Sequence, residues 1–214
     1  MKLIPQSISV LSPFPKDMLK RIEKIGRVCY KSEEKITDES AEKFVANLIK
    51  MGHESVLEHV GMTVRFITDR GISHEIVRHR LASYSQESTR YCNYGGKDIE
   101  FIDCSDFLPA GYACQLWEQG IADISLRYKK MIELGVPPQI ARNILPNSLK
   151  TEIIMTANLR EWRHFFRLRC SPKAHPQMRE LATSLLAYCK GTNPVVFADI
   201  THDEMPYIGV GEED

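Results

Sequence analysis

The chain has no excess of charge of either sign. Its 214 residues include 28 Lys and Arg against 28 Asp and Glu, so the formal net charge is zero. Proteins that bind nucleic acids or membrane surfaces by general electrostatic attraction usually carry a clear basic excess. We therefore expect no nucleic-acid partner and no membrane partner, unless basic residues gather in a local patch.

Long apolar segments and paired cysteines are missing as well. No stretch approaches the roughly 18 consecutive apolar residues of a membrane span. Residues 1–5 hold one charge and no apolar run that is typical of a signal peptide. The six cysteines form no C-x-x-C pair, which argues against zinc ribbons and redox dithiols. These features predict a cytoplasmic protein with reduced thiols.

Three common motifs of nucleotide and hydrolase chemistry do not occur, namely G-x-S-x-G, G-x-x-x-x-G-K-[ST] and G-x-G-x-x-G. Their absence excludes a nucleophile-elbow hydrolase, a P-loop NTPase and a Rossmann dinucleotide site. The cysteines also lack the basic surroundings of an activated nucleophile, and only Cys170, beside Arg169, is a weak candidate.

The spacing of apolar residues predicts strands and helices in one α+β domain over residues 1–214. Strands are predicted at 8–12, 60–66 and 150–157, and helices from residue 16, from the N-cap Asp38 to Gly52, and over 71–80, 117–131, 159–169 and 178–190. Residues 201–214 contain five acids and no Lys or Arg. We expect residues 200–214 to form a solvated acidic tail.

Basic residues gather at two places despite the zero net charge. The first cluster contains Arg160, Arg163, Arg167 and Arg169 against the single acid Glu161, and the second contains Arg78, His79, Arg80 and Arg90. Arginine binds phosphate groups and planar polar edges through two parallel hydrogen bonds. The simpler interpretation is that these arginines pair with carboxylates on a solvated surface.

The second cluster is unusual in its geometry. If residues 78–80 continue a helix, successive side chains point about 100° apart. They would then contact different ligands or different subunits. If the following run is extended, Gln86, Ser88 and Arg90 lie on one face. An amide, a hydroxyl and a guanidinium side by side suit a pyrimidine edge and a phosphate.

Residues 52–59 allow two interpretations. Ser55-x-x-Glu58 is typical of a capping box at a helix start. A metal site is the alternative, but no H-x-x-x-H or H-E-x-x-H spacing occurs, so we expect no metal. Its candidate ligands would be His53, Glu58, His59, His74 and His79. Taken alone, these residues indicate an anion-binding, nucleotide-handling protein.

The segment from Arg78 to Ser88 resembles the signature of flavin-dependent thymidylate synthases. In it, Arg78-His79-Arg80 is followed by seven further residues and then by Ser88. The other blocks of the resemblance stand in the expected order and extend over most of residues 50–190. They are Gly52-His53-Glu54-Ser55 with Glu58-His59, Ala141-Arg142 with Leu145-Pro146, Asn158-x-Arg160, and Leu168-Arg169 with His175.

The resemblance implies a small, twisted, mostly antiparallel sheet with flanking helices, and a homotetramer with long helices and active sites at its subunit interfaces. The implied reaction converts dUMP to dTMP, with methylenetetrahydrofolate as carbon donor and FAD, reduced by NADPH, as hydride source. It needs no covalent enzyme nucleophile, which agrees with the lack of an activated cysteine.

The resemblance also implies roles for individual residues. FAD would be bound by Ser55, Arg78, His79, Arg80, Gln86, Asn158, Arg160 and His164, with His53 and Glu58 nearby. The nucleotide dUMP would be bound by Glu75, Gln86, Glu87, Ser88, Thr89, Arg90 and Arg142. Arg169 would face the uracil ring and favour its N3-deprotonated form, as the catalytic residue.

Some positions depart from the family pattern: Glu75 stands where Gln is frequent, His164 where an amide can occur, and Ser55 where Thr can. Two other classes of protein would use the same residues differently. A phosphate- or RNA-binding module would use the two arginine clusters, and a metal-dependent nucleotide hydrolase would use the histidines.

Overall fold

The computed structural model describes residues 1–202 and 206–213. The strands are β1 (Lys2–Ile4), β2 (Ser7–Ser12), β3 (Gly61–Asp69), β4 (Ala82–Gln86), β5 (Glu100–Ile102), β6 (Lys150–Asn158) and β7 (Val210–Glu212). The helices are α1 (Met18–Tyr30), α2 (Ser40–Lys50), α3 (Arg70–Ile76), α4 (Tyr112–Glu133), α5 (Pro138–Ala141), α6 (Leu159–Arg169), α7 (Pro176–Thr192) and α8 (Pro194–Phe197). Short 3-10 helices lie at Glu33–Lys35, Glu54–His59, Ser105–Phe107 and Arg142–Ile144. The predicted α+β class is confirmed.

The main sheet is mixed, with its strands in the order β4-β6-β3-β2-β7, and β1 pairs with β5 separately. β3 and β6 run antiparallel, because Leu159 N donates to Val60 O beside one end and Arg70 N donates to Leu149 O beside the other. β2 and β7 are parallel, as are β1 and β5. Antiparallel pairing is therefore present at the centre of the sheet, and the pairs β2–β7 and β1–β5 are parallel.

The chain forms two compact units. The first unit comprises residues 1–7, 66–78 and 85–154, and the second comprises 8–65, 79–84 and 155–214. Each unit is assembled from segments that are distant in sequence, which explains why no linker or change of composition marks a boundary. The prediction of one domain over residues 1–214 stays a prediction.

The core of the first unit is built on helix α4. Ile121 and Tyr128 of this helix are buried against Phe101 and Leu149, and Trp117 packs beside them. Their spacing by about two helical turns follows from 3.6 residues per turn. Gly135, with φ of +83°, follows the helix end. The predicted helix over 117–131 is confirmed and extends further at its N-terminal end.

The core of the second unit is aromatic and is centred on helix α6. Trp162, Phe165 and Phe166 have no exposed surface, and the Trp162 indole donates to Met62 O at 3.1 Å. Asn158 begins the helix, because its Oδ1 accepts from Glu161 N at 2.9 Å. The helix bounds therefore match the predicted range of 159–169.

Two local predictions around the signature are wrong. Helix α3 ends at Ile76, and the chain leaves it through a turn at 77–78, so residues 78–80 are not helical. The reason is burial: His79 is 3% exposed, while Arg78 and Arg80 on either side are exposed, an alternation that a helix does not produce. The extended run also stops at Gln86, beyond which a turn follows.

Two predicted helix starts are wrong as well. Helix α2 begins at Ser40 and Asp38 does not cap it; instead, Thr37 N donates to the Ser40 hydroxyl at 2.9 Å. Ser55 does not cap a helix either, since Ser55 and Glu58 both lie inside a 3-10 helix whose preceding residue is His53.

The prediction of an acidic tail over 200–214 is wrong for part of this segment. Ile200 is 3% exposed, and Val210–Glu212 pairs with β2. The Glu212 carboxylate also accepts from the Tyr188 hydroxyl at 2.5 Å. Residues 203–205 and 214 lie outside the described residues. Within the described ranges, no helix combines the length and the apolar character that crossing a membrane requires.

Candidate functional site

The first unit contains a group of polar residues that we call the Arg142 cluster: Gln86, Glu87, Ser88, Thr89, Arg90 and Arg142. The Arg142 guanidinium donates to the Thr89 hydroxyl at 3.1 Å. Thr89 is 6% exposed, whereas Arg90 and Arg142 are exposed. Thr89, predicted to contact dUMP, therefore holds Arg142 in place in this chain.

The turn after β4 carries the remaining hydroxyl of this cluster. The carbonyl oxygen of Ser88 accepts from the backbone N–H groups of Tyr91 and Cys92. The Ser88 hydroxyl accepts from Arg90 N at 3.3 Å. Because this turn replaces the predicted extended backbone, Ser88 and Arg90 do not share a strand face with Gln86. The turn instead brings Ser88 next to the backbone of Arg90.

The side chain of Gln86 is fixed by neighbouring hydroxyl groups. Its Nε2 donates to Ser73 Oγ at 2.8 Å and to Thr151 Oγ1 at 3.2 Å. Ser73 and Thr151 are fully buried. The other predicted ligand on this side, Glu75, is half-buried on α3. Gln86 is therefore preorganised by a buried polar network.

Glu87 is held by two side chains that sequence reasoning did not select. Tyr94 donates to it at 2.8 Å and Lys150 Nζ lies 3.3 Å away. Burial, and then the hydrogen bond to Glu87, raise the pKa of Tyr94, so the phenol stays protonated. These contacts hold the start of the turn that carries Ser88.

The second unit contains what we call the Arg169 cluster: His79, Tyr84, Glu161, His164 and Arg169. His79 lies between a carboxylate and a guanidinium, with Nδ1 at 3.1 Å from Glu161 Oε1 and Nε2 at 3.0 Å from Arg169 Nε. Its ring packs edge-on against Phe165, with the ring centroids 4.9 Å apart. The Tyr84 hydroxyl donates to His79 O at 2.6 Å.

The imidazole of His79 is neutral in this setting. Burial, and then the charges of Arg169 and His164, lower the pKa of His79 from 6.5 to about 4. The contact with Glu161 is therefore a hydrogen bond to a neutral ring. Burial also raises the pKa of Glu161, and burial followed by the charge of Glu161 raises the pKa of Tyr84.

His79, Glu161 and His164 are also close enough to resemble a metal site, since one possible ligand atom of each lies within 4.8 Å of the others. The hydrogen bonds do not suit a metal ion. An arginine Nε carries a hydrogen, so His79 Nε2 must accept from Arg169 and the ring proton must be on Nδ1. Both ring nitrogens are thereby engaged. The prediction of no metal stays a prediction.

Two of the residues predicted to lie near FAD, Glu58 and Asn158, line a cavity of about 370 Å³ in the second unit. Its lining includes Glu58, Leu81, Ser83 and Asn158. Arg160 is exposed and forms an ion pair with Glu58 at 2.5 Å. The carboxylate of Glu58 therefore orients Arg160 beside the cavity.

Other predicted FAD residues are accessible in the chain. His53, Ser55, His164, Arg78 and Arg80 are all exposed. His53 Nδ1 shares a hydrogen bond of 2.8 Å with the Tyr30 hydroxyl. In the described part of the chain, no carboxylate pairs with the side chain of Arg78 or Arg80. Two exposed guanidinium groups without a carboxylate partner fit the pyrophosphate of a dinucleotide.

Two arginines of the same basic cluster have a different role. We call Glu54, Arg163, Arg167 and Asp199 the Arg163 network. Arg163 has no exposed side-chain surface and donates to Asp199 at 2.8 and 2.7 Å, to Glu54 at 3.3 Å and to Val196 O. Burial alone would raise the pKa of Asp199, but hydrogen bonds and charge from Arg163 and Arg167 hold it below its ordinary value. Both arginines pair with carboxylates as the simpler interpretation predicts, but Arg163 does so in the buried core and only Arg167 does so on the solvated surface.

The one cysteine that stood out in the sequence is not a nucleophile. Cys170 is 2% exposed, and burial raises its pKa to about 12. It therefore remains a buried thiol at neutral pH. Sequence reasoning also missed Glu161, although it is the single acid of the arginine-rich segment and that fact was a usable signal.

Residues 11–195 match the family model described as thymidylate synthase complementing protein, so the chain belongs to that family. It is 36% identical over 181 residues to the flavin-dependent thymidylate synthase of Geobacter sulfurreducens, covering 81% of this chain and 78% of that protein. It is 37% identical over 164 residues to the flavin-dependent thymidylate synthase of Pyrococcus furiosus, covering 75% and 67%. The resemblance seen in the sequence is confirmed, as is the enzyme class that it implies, a flavin-dependent methyltransferase.

A solved structure has the same fold. The UMP/dUMP methylase PolB from Streptomyces cacaoi, bound with 5-Br dUMP, superimposes with a TM-score of 0.79 over 92% of this chain and 96% of that chain. At 21% sequence identity this likeness concerns the fold alone.

Proposed function

We propose that the protein makes dTMP from dUMP, with methylenetetrahydrofolate as carbon donor and FAD, reduced by NADPH, as hydride source. One observation carries the proposal beyond family membership. Within the described residues no carboxylate pairs with the exposed signature arginines Arg78 and Arg80, and Arg142 and Arg169 donate to a hydroxyl and to a neutral imidazole. Neutral partners orient a guanidinium without cancelling its charge, as binding of an anionic nucleotide requires.

The dUMP phosphate is bound by Arg90 and Arg142. Both side chains are exposed, and Thr89 fixes the direction of Arg142. Guanidinium groups bind phosphate oxygens through two parallel hydrogen bonds. Ser88, Gln86, Glu87 and Glu75 provide the hydroxyl, amide and carboxylate groups of the same site. Ser88 acts as a hydrogen-bonding residue, since the reaction uses no covalent enzyme nucleophile.

Arg169 acts on the pyrimidine ring. A fixed cation beside the uracil favours the N3-deprotonated form and raises the electron density at C5, which is the atom that is methylated. The neutral imidazole of His79 holds Arg169 Nε and does not reduce its positive charge. The role of this chain at the reacting base is therefore electrostatic.

Glu58 and Asn158, which line the second-unit cavity, are among the residues that the resemblance assigns to FAD. Arg78 and Arg80 would bind its pyrophosphate, and Ser55, Asn158, Arg160 and His164 would contact the rest. The resemblance also assigns His53, Glu58, His79 and Gln86 to FAD. FAD bound there supplies the hydride after its reduction by NADPH. The side chains of this protein would bind and orient the FAD. Asn158 also fixes the start of α6 through its contact with Glu161 N.

The active form is a homotetramer with active sites at subunit interfaces, and we expect it in the cytoplasm. Exposed apolar side chains support the assembly. Leu81 and Tyr91, which flank the exposed signature arginines, are 72% and 77% exposed. On the long helix α4, Tyr112 is 70% and Leu126 is 68% exposed. Because subunit interfaces cover exposed apolar surface, the assembly predicts that these four side chains lie at subunit contacts.

The test is the absorbance spectrum of the purified protein. Bound FAD should give a band near roughly 450 nm that NADPH bleaches under anaerobic conditions, and dTMP should form when dUMP and methylenetetrahydrofolate are added. Arg80→Ala should lose flavin on dialysis, whereas the paired Arg167→Ala should retain it. A colourless protein that takes up no FAD would overturn the proposal.

Two other outcomes would point to other functions. Polynucleotide binding with a steep salt dependence would indicate a nucleic-acid module that uses the exposed arginines. Nucleotide hydrolysis with stoichiometric metal by elemental analysis would indicate a metal-dependent hydrolase that uses the histidines.

A further inference from the structure

We propose that Glu161 is a positioning residue that acts through His79 to fix the guanidinium of Arg169. The inference rests on the proposed function, because it concerns how the catalytic arginine is held. It assigns a role to a residue that lies outside the set predicted to touch dUMP or FAD.

The three side chains form a linear chain of hydrogen bonds along one face of α6. Glu161, Phe165 and Arg169 recur every four residues, so they follow one stripe of the helix. His79 lies across this stripe: it packs on the Phe165 ring and reaches Glu161 and Arg169 with its two nitrogens. A single buried imidazole therefore connects the first and last turns of the helix.

The direction of each hydrogen bond follows from the chemistry of arginine. Arg169 Nε always carries a hydrogen, so His79 Nε2 must be the acceptor and Nδ1 must carry the ring proton. The Nδ1–H group then needs an acceptor in a buried place, and Glu161 Oε1 at 3.1 Å is that acceptor. Glu161 thus selects the only tautomer of His79 that can accept from Arg169.

The hydrogen bond to His79 fixes the plane of the Arg169 guanidinium. The five N–H groups of a guanidinium are coplanar, so a hydrogen bond at Nε sets the orientation of the whole group. A carboxylate in direct contact would also orient it but would compensate its charge, as Asp199 does for Arg163. The contact with the neutral ring orients the guanidinium and adds no negative charge of its own.

We call this chain of hydrogen bonds from Glu161 through His79 to Arg169 the relay. Two further hydrogen bonds hold the backbone around it. The Tyr84 hydroxyl donates to His79 O, and Asn158 accepts from Glu161 N. Glu161 is 5% exposed and His79 is 3% exposed, so water does not readily replace either hydrogen bond. The relay is therefore present before a nucleotide binds.

The experiment compares dUMP affinity in the FAD-loaded enzyme. Glu161→Ala should weaken dUMP binding roughly tenfold, because Arg169 loses its fixed orientation. Glu161→Gln retains an acceptor and should stay within about twofold of the wild type. Glu23→Ala is the matched control: Glu23 is a carboxylate with 1% exposure that binds Arg27 and Ser40, so its loss should lower stability and leave dUMP affinity unchanged.

Coupling to Arg169 separates a positioning role from a general structural one. In an Arg169→Ala background, Glu161→Ala should cause no further loss of dUMP affinity, because the group it positions is gone. Losses that add fully in the double variant would overturn the proposal, as would a Glu161→Ala enzyme that binds dUMP like Glu23→Ala.

A measurement on the unmodified protein does not depend on the folding of any variant. Nitrogen-15 spectra of histidine should show His79 protonated at Nδ1 and unprotonated at Nε2 at neutral pH. The opposite tautomer, or stoichiometric zinc binding that Glu161→Ala abolishes, would overturn the relay. If the wild type binds neither FAD nor dUMP, the proposed function fails as well; if it binds both and only the tautomer or the coupling is wrong, the relay alone fails.

Discussion

Helix α6 holds its arginines in two different ways. Arg163 is fully buried and meets the Asp199 carboxylate through two nitrogens, whereas Arg169 is half-buried and meets the neutral ring of His79. The carboxylate compensates the charge of the first guanidinium, and the imidazole only orients the second. Two residues of the same type, six positions apart, thus have different partners: Arg163 stabilises the fold, and Arg169 is the one that we propose to act on the nucleotide. The comparison teaches that the partner of an arginine, more than its neighbours in sequence, decides its role.

The largest effect is expected when the buried arginine is removed. Arg163→Ala should lower the free energy of unfolding by about 3–5 kcal/mol, because Glu54 and Asp199 lose their main partner. Urea denaturation measures the change. Arg167→Ala is the matched control: it shares both partners but is half-exposed, so we expect at most about 1 kcal/mol. Equal losses in the two variants would show that burial of Arg163 adds nothing to the stabilising effect of its ion pairs.

Removal of Arg169 should affect dTMP formation rather than the free energy of unfolding. Arg169→Ala should reduce dTMP formation by on the order of 10²–10³-fold, because the charge beside the uracil ring is lost. Its FAD content, read from the absorbance spectrum, should be retained. Wild-type turnover in this variant would show that Arg169 does not act on the pyrimidine.

The neutral ring of His79, which lies between Glu161 and Arg169, makes the free energy of unfolding depend on pH. The pKa of His79 is lowered from 6.5 to about 4, so between these pH values the unfolded chain takes up a proton that the folded chain does not. The free energy of unfolding should therefore fall by on the order of 3 kcal/mol from pH 6.5 to 4. Urea midpoints across this range measure it.

The variants for this measurement must first remove the contribution of Glu161, which opposes that of His79 to the pH dependence of the free energy of unfolding. Burial raises the pKa of Glu161, so this carboxyl takes up its proton first in the folded chain. We therefore compare Glu161→Gln with Glu161→Gln/His79→Gln, and the fall with pH should be present only in the single variant. The same fall in both variants would show that groups other than His79 cause it.

A smaller effect is expected in the Arg142 cluster, where a hydroxyl orients the arginine. Thr89→Val keeps the shape and removes the acceptor, and should weaken dUMP binding roughly tenfold by loss of one hydrogen bond to a charged group. Thr89→Ser should restore it. Dissociation constants from dUMP titration decide the matter, and unchanged affinity in Thr89→Val would show that Arg142 needs no such support.

The smallest effect is expected at Ser88. The Ser88 hydroxyl accepts from Arg90 N, and Ser88→Ala should keep at least roughly a tenth of the turnover, because one hydrogen bond is lost and no covalent adduct is needed. Complete loss of dTMP formation with intact dUMP binding would instead indicate a nucleophilic serine.

Long elements with strong periodicity were predictable from the sequence. Helices α4 and α6 and strand β6 lie where apolar spacing places them, and Asn158 supplies the cap that begins α6. Prediction failed at the signature because the helical period of α3 was carried through Arg78 and Arg80. The burial of His79, which ends that period, depends on contacts with α6 that lie about 80 residues further along the chain.

The partners of the arginines could not be predicted for the same reason. Asp199 is 36 positions from Arg163, and Glu54 is 109 positions away. Nothing in the spacing of the basic residues distinguishes Arg163 from Arg169. The family resemblance selected Arg169 for the site, whereas only three-dimensional contacts show that Arg163 belongs to the fold.

Strand β7 has a consequence for how the protein can be handled. It lies at the edge of the main sheet and pairs with β2, with Gly211 opposite Ser9. Truncation before residue 206 would uncover the row of backbone donors and acceptors on β2, and such an open edge invites pairing between molecules and aggregation. The C-terminus follows β7 closely, so affinity tags or fusion partners there are best joined through a flexible spacer that leaves the pairing with β2 undisturbed.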